Sequence, residues 1–433
     1  MKEVKLMKSL KNSNKIWCII FVILFIPLVI ALNKVQKHYT DKNEDELQGD
    51  ISFVSNRTDK SDELNKLIEE FEKIHPNVTV KLELIGDAEE ILERKASLGD
   101  MADVTLVPSV IQGKEFYKYF LPIDDLGITK EKVYDYSSGV GTDGKLYTLT
   151  TSESWHGVIY NKDIFKELGI TRLPTNQAEF LDVCNKIKSN GIVPVALNYK
   201  QSWIMGMWGD IIPYLYNINF EKGVLLNNED ILGNDSVIYK ALNLARNIYS
   251  NGYCEEDPLN YEWRQCKEDI LDGKIAMIIW NSDFIYQLED LGMGRDSIGM
   301  FPLPDTNVIN MTGDYKIAIN KNTKYPEAAK EFLKYLFEED RYVKAVNIMS
   351  NSKESERTKE VLNNLNEFNL PVKFQSDKLL NETDEDRKIY NKYYTLKNSV
   401  GLNYRFIQSY ITSENPEKLR EDMNSEWREQ RDN

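Results

Sequence analysis

The sequence predicts an α/β protein of two lobes, each a doubly wound sheet flanked by helices. Three observations carry this reading. The chain has 433 residues, more than one ordinary core accommodates. Residues 51–108 read as strand, helix, strand, helix, strand, the order that builds a parallel sheet. A second α/β series begins near residue 157, and the segment 310–345 then reads as a strand and helix returning to the first series.

The elements follow from residue type. ISFVS, from Ile51, is an apolar strand, and Asn56, Arg57, Thr58 and Asp59 form a turn. Leu64, Leu67, Ile68, Phe71 and Ile74 recur at helical spacing, with Asp62 and Glu63 in the first turn, where acids suit the helix dipole. Pro76 stops that helix. Val78, Val80, Leu82 and Leu84 alternate on one face of a strand. A helix over 88–97 and the strand ADVTLVP complete the first set. In the second set, NKDIFKELG is a short helix, Pro174 and Thr175 precede another, IVPVAL is a strand, 236–250 a helix, and KIAMIIW a strand ending at Trp280. IGMFPLP reads as a crossing segment. YKIAIN is a strand, followed by a helix with Pro326 in its first turn and Ala329, Phe332, Leu333 and Leu336 on one stripe. The tail after 350 is polar, helical and rich in Tyr.

The amino terminus has the pattern of an export signal. Lys2, Lys5, Lys8, Lys11 and Lys15 precede a nearly uninterrupted apolar run over 16–32. Its length is at the lower limit for spanning a bilayer. Val29 and Ala31 suit cleavage after Ala31, with Pro27 breaking the helix just before. Otherwise the run stays as a single membrane anchor. Cys18 stands at the start of the apolar run, so the usual lipoprotein arrangement is missing. Residues 33–49 are polar and read as a tether.

Charge and composition exclude several classes. Net charge is −15, and the stretch 1–40, with seven Lys against one Glu, contributes +6, leaving −21 for the rest. So acidic a body has no basic stripe for nucleic acid and is repelled by anionic lipid. Only three His and four Cys occur, none in a CxxC pair, which argues against a zinc site. Cys254 and Cys266 are spaced so that pairing is open, but spacing alone does not establish a bridge. No nucleophile elbow, phosphate loop, zinc helix or dinucleotide fingerprint is present. The reading is therefore of a non-enzymatic chain with no cofactor and no metal.

Several stretches, in order, resemble the family-1 extracellular solute-binding proteins of ABC importers, the maltose-binding-protein group. FVSNRTDKSDELNKLIEEFEKIHPNVTV resembles the first strand-helix-strand, ADVTLVPS the next strand and its loop, and GKLYTLTTSESWHGVIYNKDIFKELGI the first crossover. LPTNQAEFLDVCNKIKSNGIVPVAL, GKIAMIIWNSDF and NKNTKYPEAAKEFLKYLF continue the match. Each motif alone is weak, whereas the ordered set behind an export signal is specific. The resemblance covers residues 51–345, and the tail is not diagnostic.

It implies a periplasmic-binding-protein-like fold with a ligand cleft between lobes that close by hinge motion. The lobes are then expected at 50–151 plus 304–349, and at 152–303 plus 350–433, after a signal or anchor at 1–32. Crossings are expected at 150–157 and 299–306. The implied partners are a small-molecule ligand, above all a carbohydrate, and the permease subunits of an ABC importer, at the outer face of the cell membrane. The membrane is itself a partner if 1–31 is retained. An uncleaved anchor also leaves open a tethered sensor that presents ligand to a membrane kinase.

Sugar recognition needs aromatic rings for apolar sugar faces and directional side chains for hydroxyls. Ligands of such sheets bind off the carboxyl ends of strands. These ends carry Asn56, Arg57 and Ser109 in the first series, Tyr199 and Trp203 after IVPVAL, and Trp280 and Asp283 after KIAMIIW. Glu153 and Trp155 stand on the first crossover, and the resemblance matches Glu153 to a ligand-contacting carboxylate. Asp314 opens the returning strand. Trp208, one turn beyond Trp203, is expected in the core, and His156 is expected to be structural.

Overall fold

The computed structural model describes residues 47–432 apart from 87, 202, 228 and 376–382. The expected signal or anchor, and the tether up to 46, lie outside the described residues. Among those described, no helix is long and apolar enough to cross a membrane.

Two sheets organise the chain. The first has the order β2-β1-β3-β10-β4. Its strands are β1 (Gly49–Ser55), β2 (Val78–Leu84), β3 (Val104–Val107), β4 (Thr148–Thr150) and β10 (Lys316–Ile319). β2, β1 and β3 are parallel, as the strand-helix alternation predicts. β10 is antiparallel to both β3 and β4. The reason is where the chain comes from. It leaves this lobe at the carboxyl end of β4 and returns at that same edge, so β10 must run the opposite way.

Helix Ser61–Ile74 buries Leu64, Leu67, Ile68 and Phe71 against this sheet. Helix Pro326–Phe337 begins with the proline at its first turn, which lacks the N–H a first turn would leave unpaired anyway. Phe332 meets Phe53 and Phe71 edge-on, with ring centres 5.3 Å and 5.0 Å apart.

The second sheet runs β11-β9-β5-β7-β6, with β8 beside β5. β5 (Glu153–Asn161) is its spine, and the others are β6 (Val193–Ala196), β7 (Ile275–Asn281), β8 (Ile298–Phe301), β9 (Ile309–Gly313) and β11 (Val372–Phe374). The amino end of β5 pairs with β9, its far end with β8, and its other side with β7. Gly157 sits where these layers touch: a Cβ there would lie 2.5 Å from the Phe301 carbonyl oxygen and 2.8 Å from the Trp155 ring.

The return path differs from the sequence expectation. Residues 298–301 are not a crossing; they are the edge strand β8. Residues 309–313, expected with the first lobe, add to the second sheet as β9. The passage between sheets lies at 313–316. Apolar Ile309 and Met311, two residues apart on β9, suit either sheet, so periodicity did not say which.

Three segments therefore join the sheets. The first two, 150–153 and 313–316, lie side by side: Thr151 N–H donates to Tyr315 O (2.9 Å) and Asp314 N–H to Ser152 O (3.1 Å). The third, 347–352, is stitched to the first. Glu153 N–H donates to Met349 O (3.2 Å), and the Asn351 amide donates to Thr150 O (2.7 Å).

The tail completes the second lobe. Tyr393, Leu396, Ile407, Tyr410, Ile411, Met423 and Trp427 join the same apolar core as Val158, Phe180, Trp208, Leu242 and Met277. Cys184, Cys254 and Cys266 are free thiols. Burial pushes the Cys254 thiol up to about 12, so it stays protonated.

Candidate functional site

Four of the expected site residues converge where the lobes meet. Arg57 leaves the carboxyl end of β1. Glu153 begins β5, Asp283 begins helix Asp283–Asp290, and Asp314 lies in the passage from β9 to β10. Each arrives on a different segment, and charge interactions link them through Asp283. Asp283 interacts with Arg57, Asp314 and Glu153, and Asp314 with Arg57.

Glu153 is 1% exposed, and its Oε1 has no hydrogen-bond partner. Burial, reinforced by Asp135 and Asp283, holds its carboxyl well above the usual range. Asp283 is 7% exposed, and its Oδ1 is also without a partner. Burial, with repulsion from Asp314, pushes it up to about 7, although Arg57 and a Met349 N–H oppose the shift. Asp314 is open to solvent, yet protein surrounds it closely enough to raise its carboxyl by desolvation. Both hold together for a side chain lining a concave wall.

Arg57 is the one strong cation among them. It grips Asp59 in a two-pronged pair, Nε to Oδ1 at 3.1 Å and Nη2 to Oδ2 at 3.0 Å. That fork fixes the guanidinium plane. Asn56, beside it, is half-buried and turns the chain, its carbonyl accepting from Thr58 N–H at 3.0 Å.

The remaining expected residues are placed differently. Trp280 is half-buried at the end of β7 and meets Trp263 edge-on at 5.3 Å. Ser109 is exposed, and its N–H and hydroxyl both donate to Glu89, at 2.7 Å and 2.5 Å. Trp155 is 4% exposed and packs into a core with Ile309, Met311 and Leu365. Tyr199 is wholly buried and presents no surface to a ligand in this conformation; burial raises its phenol far above the ordinary value. Met349, Leu365 and Phe368 cover Trp155, and Tyr199, in the turn after β6, packs into the main core of the second lobe. Trp203 begins the short helix Trp203–Gly206; its side chain is not among those described. His156 is buried, with Nδ1 unpartnered, and burial lowers it to about 4.

Sequence reasoning missed Trp263, Lys267 and Tyr342. Trp263 packs on Phe284 at 5.0 Å as well as on Trp280, and donates to Gln287 at 3.3 Å. Lys267, one turn on, sits within charge range of Arg57 and Asp59, and burial lowers its pKa. Tyr342 backs Arg57 and is 4% exposed. Trp263 and Lys267 share a helical face directly before the β7 strand, a signal available in the sequence.

A concave junction between two lobes, crossed three times by the chain and lined by under-bonded carboxylates, defines a hinged binding protein. Residues 55–341 match the family described as bacterial extracellular solute-binding protein, and the chain belongs to it. The multiple sugar-binding protein of Streptococcus mutans is 23% identical over 323 residues, 71% of this chain and 75% of that one. Among solved structures, the ABC-transporter binding protein BlMnBP1 of Bifidobacterium animalis subsp. lactis, in complex with mannobiose, superposes with a TM-score of 0.75 at 24% identity, covering 89% of this chain and 95% of that one. A sugar transporter protein of Bacillus licheniformis, in complex with stachyose, gives 0.64 at 16%, covering 88% and 100%. At such identities the likeness establishes the two-lobed fold.

Proposed function

We propose that the chain captures a neutral saccharide between its lobes outside the cell and delivers it to the permease subunits of an ABC importer. The observation that carries this is the pair of buried carboxylates, Glu153 and Asp283, each with an oxygen that has no hydrogen-bond partner among the described residues. They are acceptors for sugar hydroxyls, and leaving such groups unpaired costs more than a hydrogen bond returns. Trp280 nearby supplies an apolar ring for a sugar face. Asn56, Arg57 and Asp314 complete the contacts, Ser109 lies toward the rim, and Trp155 and Tyr199 support the walls from the core. The sugar complexes of similarly folded proteins favour the same ligand class. The role is binding without turnover.

A thermal-shift screen over neutral saccharides tests this, starting with mannobiose and stachyose. The correct ligand raises the melting temperature with the logarithm of its concentration, and no reducing sugar is released from it. If no saccharide shifts the curve while an acidic or peptide ligand does, the saccharide reading fails. Trp280→Ala is expected to weaken binding by about 1–3 kcal/mol, roughly 5- to 150-fold in Kd, with the ligand-free melting curve little changed. Unchanged affinity would remove Trp280 from the site.

The amino-terminal reading is tested by sequencing protein recovered outside the cytoplasm. It starts at Leu32, or it keeps residues 1–31 and sediments with membranes. Full-length protein free in the cytoplasm would exclude export.

A further inference from the structure

The helix that begins with Asp283 ends at Asp290, and that last residue reaches out of its own lobe. Its Oδ2 lies 2.7 Å from Lys60 Nζ. Its other oxygen, Oδ1, accepts from the Asn347 amide at 3.1 Å. Lys60 belongs to the first lobe, and Asn347 stands where the third connecting segment leaves it. Lys60 closely follows β1, and Asn347 caps helix Arg341–Val346, which packs on helix Ser61–Ile74. The carboxylate belongs to the second lobe, where Phe284, Ile285 and Leu288 anchor its helix in an apolar cluster.

Nothing local explains this carboxylate. At the last turn of a helix it faces the negative end of the dipole, where a cation is favoured. Lys60 is equally telling. It is 6% exposed, and a lysine so covered needs a partner. Within its own lobe it pairs with Glu63, at a looser 3.8 Å. The short contact is the one that spans the lobes.

A second strut lies beside the first. The Arg357 guanidinium donates to Asn347 Oδ1 (3.1 Å) and Ile348 O (3.2 Å), and it stacks 4.7 Å from the ring centre of Tyr286, on the same helix as Asp290. Asn347 is thus held by Arg357 on one side while it holds Asp290 on the other. Its backbone is left-handed (φ 51°), a conformation asparagine tolerates better than most residues.

We propose that Lys60, Asn347 and Asp290 form an interlobe latch that holds the protein closed and sets how much of the unliganded population is closed. The inference rests on the two-lobed fold and not on the identity of the ligand. When the lobes part, both charges regain water, so the latch contributes only what remains of the attraction after desolvation. That is enough to tune an equilibrium without locking it.

The test is small-angle scattering of the unliganded full chain, with Lys60→Met, Asp290→Asn, and both together. Each single variant is expected to raise the radius of gyration, shifting the closed-to-open ratio about tenfold toward open. The double variant is expected to be no more open than either single one, because all three break the same contact. Asn347→Ala shifts the ratio the same way by less. Circular dichroism melting verifies that each variant is folded. A folded single variant with the radius of the parent, or a double variant whose expansion is the sum of the two, overturns the latch.

Discussion

Asp283→Asn is expected to stabilise the unliganded protein, and to do so most above neutral pH. The physical reason is the burial of a carboxyl that has too few donors. Its pKa is pushed up to about 7, by desolvation first and by Asp314 second. Between the ordinary carboxylate value and 7, the folded chain holds a proton that the unfolded chain has released. Stability therefore falls as pH rises through that window, and the full penalty persists above it. The gap corresponds to on the order of 4 kcal/mol at most. Asparagine removes the charge and keeps an acceptor for the Met349 N–H. His156 works in the opposite sense, since its lowered pKa costs stability as pH falls from about 6.5 toward 4. Parent and variant share that histidine, so the difference between their melting temperatures reports Asp283 together with its effect on the neighbouring Glu153 carboxyl. That difference should grow from pH 4 to 7 and then level off. A difference that does not vary with pH would mean that Asp283 is not the buried, repelled group described here. The same variant should bind ligand more weakly, because the acceptor that awaits a hydroxyl has lost its charge.

The second large effect concerns the tail. Trp427→Ala is expected to cost about 3–5 kcal/mol, the range for deleting a large buried aromatic side chain. Trp427 is wholly buried in helix Pro416–Asp432. It donates to the Glu229 carbonyl at 3.1 Å and lies 6.0 Å from the Tyr393 ring. Beside it, Asn424 accepts from Leu232 N–H at 2.8 Å. The helix thus fastens the loop around 229–232 to the second lobe. Arg428→Ala serves as the control. Its pair with Asp230, 2.7 Å long, is largely in solvent, and its loss should cost below about 1 kcal/mol. Urea unfolding compares the two. If Trp427→Ala is as mild as Arg428→Ala, the tail is not part of the cooperative unit of that lobe.

The first lobe was legible because its parallel strands and helices follow local rules. The helical spacing of Leu64, Leu67, Ile68 and Phe71, and the alternation of Val78, Val80 and Leu82, each name their element without help from distant residues. The sequence also singles out Glu153 on the first crossover, Asp283 after the β7 strand and Asp314 at the start of the returning strand, and the structure places all three near the junction of the lobes. Two kinds of feature were not legible. β9 and β11 are short strands whose sheet is chosen by pairing partners far apart in sequence, and no local pattern encodes that choice. Whether an aromatic near a strand end is open or covered depends on what packs over it: Trp155 and Trp280 share a face of the second sheet, yet Trp155 is covered by Met349, Leu365 and Phe368 while Trp280 stays half-buried. The interlobe role of Lys60 was invisible for the same reason: its partner, Asp290, lies in the other lobe and more than half the chain away.

The path of the chain through the first sheet has a consequence for how the protein is made. β10 lies between β3 and β4, so the strand that joins them is synthesised only after nearly all of the second sheet. Until it arrives, β4 has no neighbour and the edge of β3 is bare. The Pro326 helix that covers Phe53 and Phe71 comes later still. Contacts this distant in sequence make folding slow. A nascent chain that cannot finish either half early stays unfolded for longer. The same interleaving means that neither lobe is a single contiguous segment, so a protease cut in the middle would release two pieces that each lack part of their core. The late strand that joins β3 to β4 in the finished molecule thereby also delays its assembly until most of the polypeptide is available.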